Sequence, residues 1–279
     1  MTVRTRLAWR TDLLGWQIPP SHGRGRSLMC SNFLRRLSMA CCCVLLIAPL
    51  AARELLAVGS NFPGVFEQHG SGYSGLATSV LRQALEPLGY QVRFELYPWA
   101  RAQHMVARGE GDILIGPYKN AAREQLFAFS ARPFYRDHIV FYRQRGSVLR
   151  WHGDYQQLLG RRIGVVRAWV YGERFDSRRE QLELVTVERV ENGLKMLGAG
   201  RLDLLASNQR NTQPVLLALG LADKLEQLEP PIDLQDGYFA FPRDERYRPL
   251  REAFDRALQQ MIEQGRLAQL AADWQVDIP

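Results

Sequence analysis

Cysteine is missing from residue 44 onward: all four, Cys30, Cys41, Cys42 and Cys43, stand in the leading segment. A chain that loses that segment has no disulfide and no thiolate metal site. The five histidines (His22, His69, His104, His138 and His152) are scattered without ligand spacing, so no metal centre is expected. No Ser-His-Asp order and no phosphate loop rises above chance, so no catalytic residue and no cofactor is expected either. Excess charge is also missing from the body of the chain. Residues 1–52 hold seven Arg and one Asp, which is +6 of the net +7, and the rest is nearly neutral. A phosphate-tracking surface needs a basic face on the folded body, so nucleic acid is not an expected partner.

Long apolar runs are equally scarce. Leu37 to Leu50 (LSMACCCVLLIAPL) spans about 14 residues, where a membrane helix needs about 20. It follows Arg35-Arg36 and ends at Ala51-Ala52. A basic start, a short apolar stretch and small residues are the parts of a secretory signal peptide, here covering 1–52 with a cut near Ala52. An uncleaved N-terminal anchor is the competing reading. Residues 1–28 are polar and rich in Arg and Pro, which suits a true start at Met29. Lipidation of Cys41 is disfavoured because that residue precedes the apolar run.

What is present after residue 52 is a rhythm of strands and helices. ELLAVG (54–59) reads as a short buried strand. Leu76, Val80, Leu81, Ala84, Leu85 and Leu88 recur at a helical period until Gly89 stops them. QVRFEL (91–96) alternates like a strand; Pro98 opens a second helix that ends at Gly109, and DILI (112–115) is another strand. Strand, helix, strand, helix, strand predicts an α/β unit with a mostly parallel sheet. The rhythm restarts after residue 145, with strands at 162–166, 183–187 and 202–206 and a helix over 188–199. A strand at 237–241 and a helical stretch over 248–273, broken at Gly265, complete the chain. No low-complexity linker separates the halves, so the chain is expected to cross between them through strands.

The segments PWARAQHMVARGEGDILIG and REQLFAFSARPFY, then LLGRRIGVV, AGRLDLLAS and GYFAFPRDERYRPLREAFDRALQQMIEQGRLAQLAADW, occur in that order over about residues 54–275. Together they resemble the periplasmic solute-binding proteins of family 3, the type that serves polar amino acid ABC transporters. The resemblance implies a two-lobed, periplasmic-binding-protein-like (type II) α/β fold with two hinge crossings. Lobe 1 would hold 53–142 and 236–279, and lobe 2 would hold 143–235. It further implies a monomer in the periplasm, a small-molecule ligand in the cleft and an ABC permease as membrane partner. Ligand would favour the closed form because only that form makes contacts from both lobes.

In the family an Arg six residues before a Phe-Ser pair receives the ligand's carboxylate, and here that Arg is Arg123, before Phe129-Ser130. Guanidinium suits the task, being always charged and shaped for two parallel hydrogen bonds. Trp99 stands where the family often has a covering aromatic, although a core role after Pro98 fits as well. Phe62 and Asn61 follow the first strand, and Gly116, Pro117 and Tyr118 follow DILI, where the family binds carboxylate. Tyr118 either lends a hydroxyl or packs. In the second lobe the usual small hydroxyl-bearing turn is replaced by the bulky Arg167, Ala168, Trp169, Val170 and Tyr171. Arg167 and Trp169 are the candidates there, with a solvent-facing Arg167 as the plain alternative. Asn208 stands where the family places an acid for an α-ammonium, and an amide holds an ammonium far less well. Two other functions stay open. One is an enzyme resembling cyclohexadienyl dehydratase, recruiting Glu173, Asp137 or His138; the other is presentation of ligand to a membrane sensor.

Overall fold

A computed structural model describes residues 53–279. The expected signal peptide with its cut near Ala52, the uncleaved-anchor alternative, the start at Met29 and the four cysteines lie outside the described residues. The described chain begins with β1 (Arg53–Gly59), the hairpin of β2 (Glu67–His69) and β3 (Gly72–Ser74), and α1 (Leu76–Leu85). Next come β4 (Tyr90–Leu96), α2 (Trp99–Ala107), β5 (Ile113–Tyr118), the single turn α3 (Ala121–Glu124), β6 (Phe127–Phe129) and the long β7 (Tyr135–Gln144). The second series is β8 (Arg162–Val166), α4 (Glu173–Asp176), β9 (Glu183–Val187), α5 (Val190–Gly198), β10 (Leu204–Asn208) and α6 (Gln209–Ala218). The chain closes through β11 (Leu225–Gln227), β12 (Asp233–Pro242), α7 (Arg248–Glu263) and α8 (Arg266–Asp273).

Helices form where the apolar period demands them. In α1 the side chains of Leu76, Val80, Leu81, Ala84 and Leu85 are all buried, and Gly89 ends the following turn with φ 83. In α7 the buried set is Leu250, Phe254, Leu258 and Met261, again one face of a 3.6-residue helix. Each such side chain, moved out of water, contributes about 1.5–3 kcal/mol. Among the described residues no helix is long and apolar enough to cross a membrane.

The main sheet runs in the order β4-β1-β5-β12-β7-β10-β8-β9. Within each end the neighbours are parallel: β1 with β4 and β5, and β8 with β10 and β9. The two long strands β12 and β7 are antiparallel to each other and to the strands beside them, so the sheet as a whole is mixed. They carry the chain between the halves, as the lack of a linker suggested. Strand alternation divides each half into two cores. Leu55 and Ala57 point into one cluster with Phe66, Leu81, Phe239 and Phe254, while Val58 and Leu114 join Val106 and Ala240 on the other face. In β7, Ile139 and Phe141 go to one core and Val140 and Tyr142 to the other.

Several boundaries differ from expectation. The strand expected at 202–206 lies at Leu204–Asn208, because Asp203 is engaged in accepting hydrogen bonds from the Arg162 backbone and guanidinium. Between β1 and α1 the chain also forms the β2–β3 hairpin. Neither β7 nor α6 was anticipated, and both contribute to the site.

Candidate functional site

Three antiparallel pairings separate β5 from β10, so β1 and β5 run opposite to β8 and β10, and the residues just past the carboxyl ends of both groups converge on one cavity. A crevice outside the carboxyl ends of strands is where open α/β sheets present binding groups. After β1 comes Phe62; at the end of β5 stand Gly116 and Tyr118, followed by Arg123 in α3. After β8 come Trp169 and Val170, and after β10 comes Asn211 of α6. Trp99 and Tyr135 complete the lining, and the cavity volume, as room for the centre of a water-sized sphere, is about 20 Å³.

Arg123 is set by its own short helix. Asn120 caps α3, its Oδ1 accepting from Arg123 N at 2.8 Å, and this fixes the direction in which the long side chain leaves. The residue is only 7% exposed. Its Nη1 donates to the Tyr118 carbonyl at 2.9 Å, and its Nη2 donates across to the Ala168 carbonyl at 3.1 Å. Ala168 holds φ 61, a left-handed conformation unusual for a residue with a side chain, in the turn after β8. The guanidinium also sits over the Trp99 ring at 5.6 Å. Among the described residues no carboxylate lies within salt-bridge distance of it. Burial brings its pKa down from the usual guanidinium value to about 10, against smaller opposing effects of Tyr118, Tyr135 and Asp176.

The walls are aromatic. Phe62 meets Trp99 edge to face with ring centroids 5.5 Å apart, and Tyr118 lies beside Tyr135 at 6.3 Å. Tyr135 Oη donates to the Gly116 carbonyl at 2.8 Å. Glycine is needed at both ends of that ring. A side chain on Gly116, whose φ is 83, would press on Tyr135 Oη and Phe62, and one on Gly237 would meet the Tyr135 ring at 1.8 Å.

Beneath the floor lies a buried polar network. Asp137, 2% exposed, receives Arg210 in a forked pair, Nε to Oδ1 at 2.9 Å and Nη2 to Oδ2 at 2.8 Å. Tyr118 Oη donates to the same carboxylate at 2.6 Å, and the Asn208 amide donates to both Asp137 and Tyr118 Oη. Asn208 Oδ1 accepts from Asn211 N at 3.0 Å and so caps α6. Arg210 Nη1 further donates to the Pro63 carbonyl, joining α6 to the loop after β1.

Of the ten residues singled out by sequence, the structure brings Arg123, Trp99, Phe62, Gly116, Tyr118 and Trp169 to one cavity. Asn61 is exposed beside it, and Pro117 is buried within β5, so neither lines the space. Arg167 faces solvent because its guanidinium is paired with Glu188 on the surface at 2.6 Å. Asn208 lies under the floor, occupied as a helix cap. Sequence reasoning missed Tyr135, Val170 and Asn211; of these only Tyr135, in the quoted PFY segment, carried a local signal. The three residues considered for catalysis do not gather. Asp137 is paired with Arg210, His138 is half exposed near Asp277, and Glu173 lines a wider outer opening with Lys119, Asp176 and Asp233.

Comparison with known proteins accords with this geometry. The family described as bacterial extracellular solute-binding proteins, family 3, matches residues 56–277. No curated protein matches the chain. Among solved structures, a histidine kinase sensor domain with similarity to periplasmic binding proteins is 20% identical, with TM-score 0.72, covering 82% of this chain and 99% of its own. An ancestral arginine-binding protein bound to arginine is 14% identical, with TM-score 0.68, covering 80% and 99%. A substrate-binding protein of an ABC uptake transporter from Streptococcus pneumoniae, with bound histidine, is 15% identical, with TM-score 0.65, covering 79% and 92%. The shared property at these identities is the fold, two-lobed and periplasmic-binding-protein-like.

Proposed function

The chain belongs to the bacterial extracellular solute-binding proteins, family 3, and from that premise we propose that it captures a small carboxylate-bearing solute outside the cytoplasmic membrane for an ABC permease. The observation that carries this reading is Arg123. A buried cation whose only partners are two carbonyls is a costly arrangement, since burial penalises charge unless an opposite charge meets it. Two of its five N–H donors are used by those carbonyls, leaving the fork able to receive an anion. Trp99 and Phe62 cover it, which excludes water and strengthens a charged contact. In this reading residues 53–142 with 236–279 form one lobe and 143–235 the other. The Ala168 carbonyl and Trp169 then approach Arg123 from the second lobe as the cleft closes about β7 and β12. Ligand is held by a monomer without chemistry, because Asp137 is already neutralised by Arg210. The leader, removed near Ala52, would deliver the protein to the periplasm.

A thermal-shift screen of carboxylates, amino acids and amines on the purified chain tests the reading, since a ligand that binds the folded form alone raises Tm. Arg123→Ala should then weaken the best carboxylate upward of roughly thirty-fold, about 2–5 kcal/mol. An unchanged Kd removes Arg123 from the site.

The likeness to a histidine kinase sensor domain supports a second reading, in which the closed protein presents its ligand to a membrane sensor. Uptake of radiolabelled ligand by cells with and without the gene separates the two.

A further inference from the structure

Resting on the reading that Arg123 receives a carboxylate, we infer that the ligand is a monocarboxylate with an apolar body and no α-ammonium. The inference comes from the charges around the cavity. None of the lining residues carries a carboxylate, and the only charged one is Arg123. Asp137, which lies behind the wall bonded to Tyr118, has both oxygens engaged: Arg210 holds each of them, and Tyr118 and Asn208 add further donors to Oδ2. That pair sums to zero charge, which leaves the inner site at +1. An ammonium on the carbon next to the carboxylate would enter a buried site with no counter-ion and a guanidinium beside it. It would lose its hydration without compensation.

The acids Glu173, Asp176 and Asp233 line the outer opening, which meets the inner cavity at Val170. They do not line the space around Arg123. The hydroxyl protons of the two wall tyrosines are also already committed. Tyr135 Oη is committed to the Gly116 carbonyl and Tyr118 Oη to Asp137, so these residues offer the ligand ring faces and edges. With Phe62, Trp99 and Trp169 they make a slot suited to a planar or branched hydrocarbon body.

Matched pairs that differ only in the α-ammonium test the inference on the full chain by calorimetry: 3-phenylpropanoate against L-phenylalanine, and 4-methylpentanoate against L-leucine. The expected result is that at least one deaminated acid binds with a Kd about tenfold or more below that of its amino acid. An amino acid that binds as tightly as its deaminated partner overturns the inference while leaving the carboxylate reading intact. Glycine betaine bound in preference to propanoate also overturns it, by showing that the rings hold a cation. Silence from both members of both pairs overturns it as well, because these bodies are the ones the walls specify. The carboxylate reading is judged separately. If 3-phenylpropanamide binds as well as the acid, or if Arg123→Met leaves the acid's Kd unchanged, that reading falls whatever the pairs show.

Discussion

Arg210 and Arg123 are guanidiniums beside one cavity, Arg123 buried and Arg210 with 16% of its side chain exposed, yet they are held in opposite ways. At the floor, Arg210 is matched by Asp137 through two parallel hydrogen bonds, with the Tyr135 ring beneath it at 5.2 Å. Burial alone would lower its pKa, but the charge and hydrogen bonds of Asp137 outweigh that and hold it above the ordinary value. At the wall, Arg123 has carbonyl partners alone, and burial dominates. The first arrangement is internally complete, and it ties β7, α6 and the loop after β1 together. The second is incomplete by one negative charge, which is what a receptor for an anion needs before the anion arrives.

The largest effect expected from this contrast lies at the floor. Asp137→Ala leaves the largely covered Arg210 without a counter-ion, and removal of one partner of a buried pair costs about 3–5 kcal/mol. Urea unfolding should show that loss, and Asp137→Leu combined with Arg210→Met should recover most of it. A loss under about 1 kcal/mol for the single variant would place the pair with surface ion pairs and break the comparison.

At the wall the sign reverses. Arg123→Met removes an uncompensated buried cation, so the ligand-free chain should gain stability even as carboxylate binding is lost. A rise of about 2–4 °C in Tm is the scale that ~1 kcal/mol gives in a chain of this size. The pH dependence follows from the lowered pKa. The folded protein pays for the charge fully below about 10, and the cost is relieved as pH rises from about 10 toward the higher value of the unfolded chain. The gap in Tm between variant and wild type should therefore be widest near neutral pH and narrow above pH 10. A variant less stable than wild type at pH 7 would mean that the two carbonyl hydrogen bonds outweigh the buried charge.

The difference between the two arginines was only half legible in the sequence. Arg123 was found by its spacing to Phe129-Ser130, and the helices and the strands β1, β5 and β8 by their apolar period. Local pattern suffices where neighbours in sequence share a face. The Asp137–Arg210 pair joins residues 73 apart, and nothing in either segment names the other. β7 was missed because Tyr135-Arg136-Asp137-His138 reads as polar until its partners β12 and β10 are in place. Asn208 was placed at the right strand end, but its side chain turns back to cap α6. Spacing along a strand fixes which residues reach its end; the hydrogen bonds waiting there fix where the side chain goes.

Arg167 gives the comparison its smallest and sharpest test. It is adjacent to Ala168, whose carbonyl meets Arg123, yet its own side chain is 60% exposed and paired with Glu188, itself exposed. An exposed pair gains little because water screens it and two long side chains must be ordered. Arg167→Ala should accordingly shift Tm by no more than about 2 °C, less still at high salt, and leave carboxylate affinity within about twofold of wild type. The backbone that serves the site is held by Trp169 N donating to the Val166 carbonyl at 3.2 Å and by Arg167 N donating to the Val187 carbonyl at 2.9 Å, both of which the alanine variant retains. A tenfold loss of affinity in that variant, with Tm unchanged, would mean that Arg167 swings from Glu188 into the cleft when an anion arrives, and the site would then hold two receptive guanidiniums instead of one.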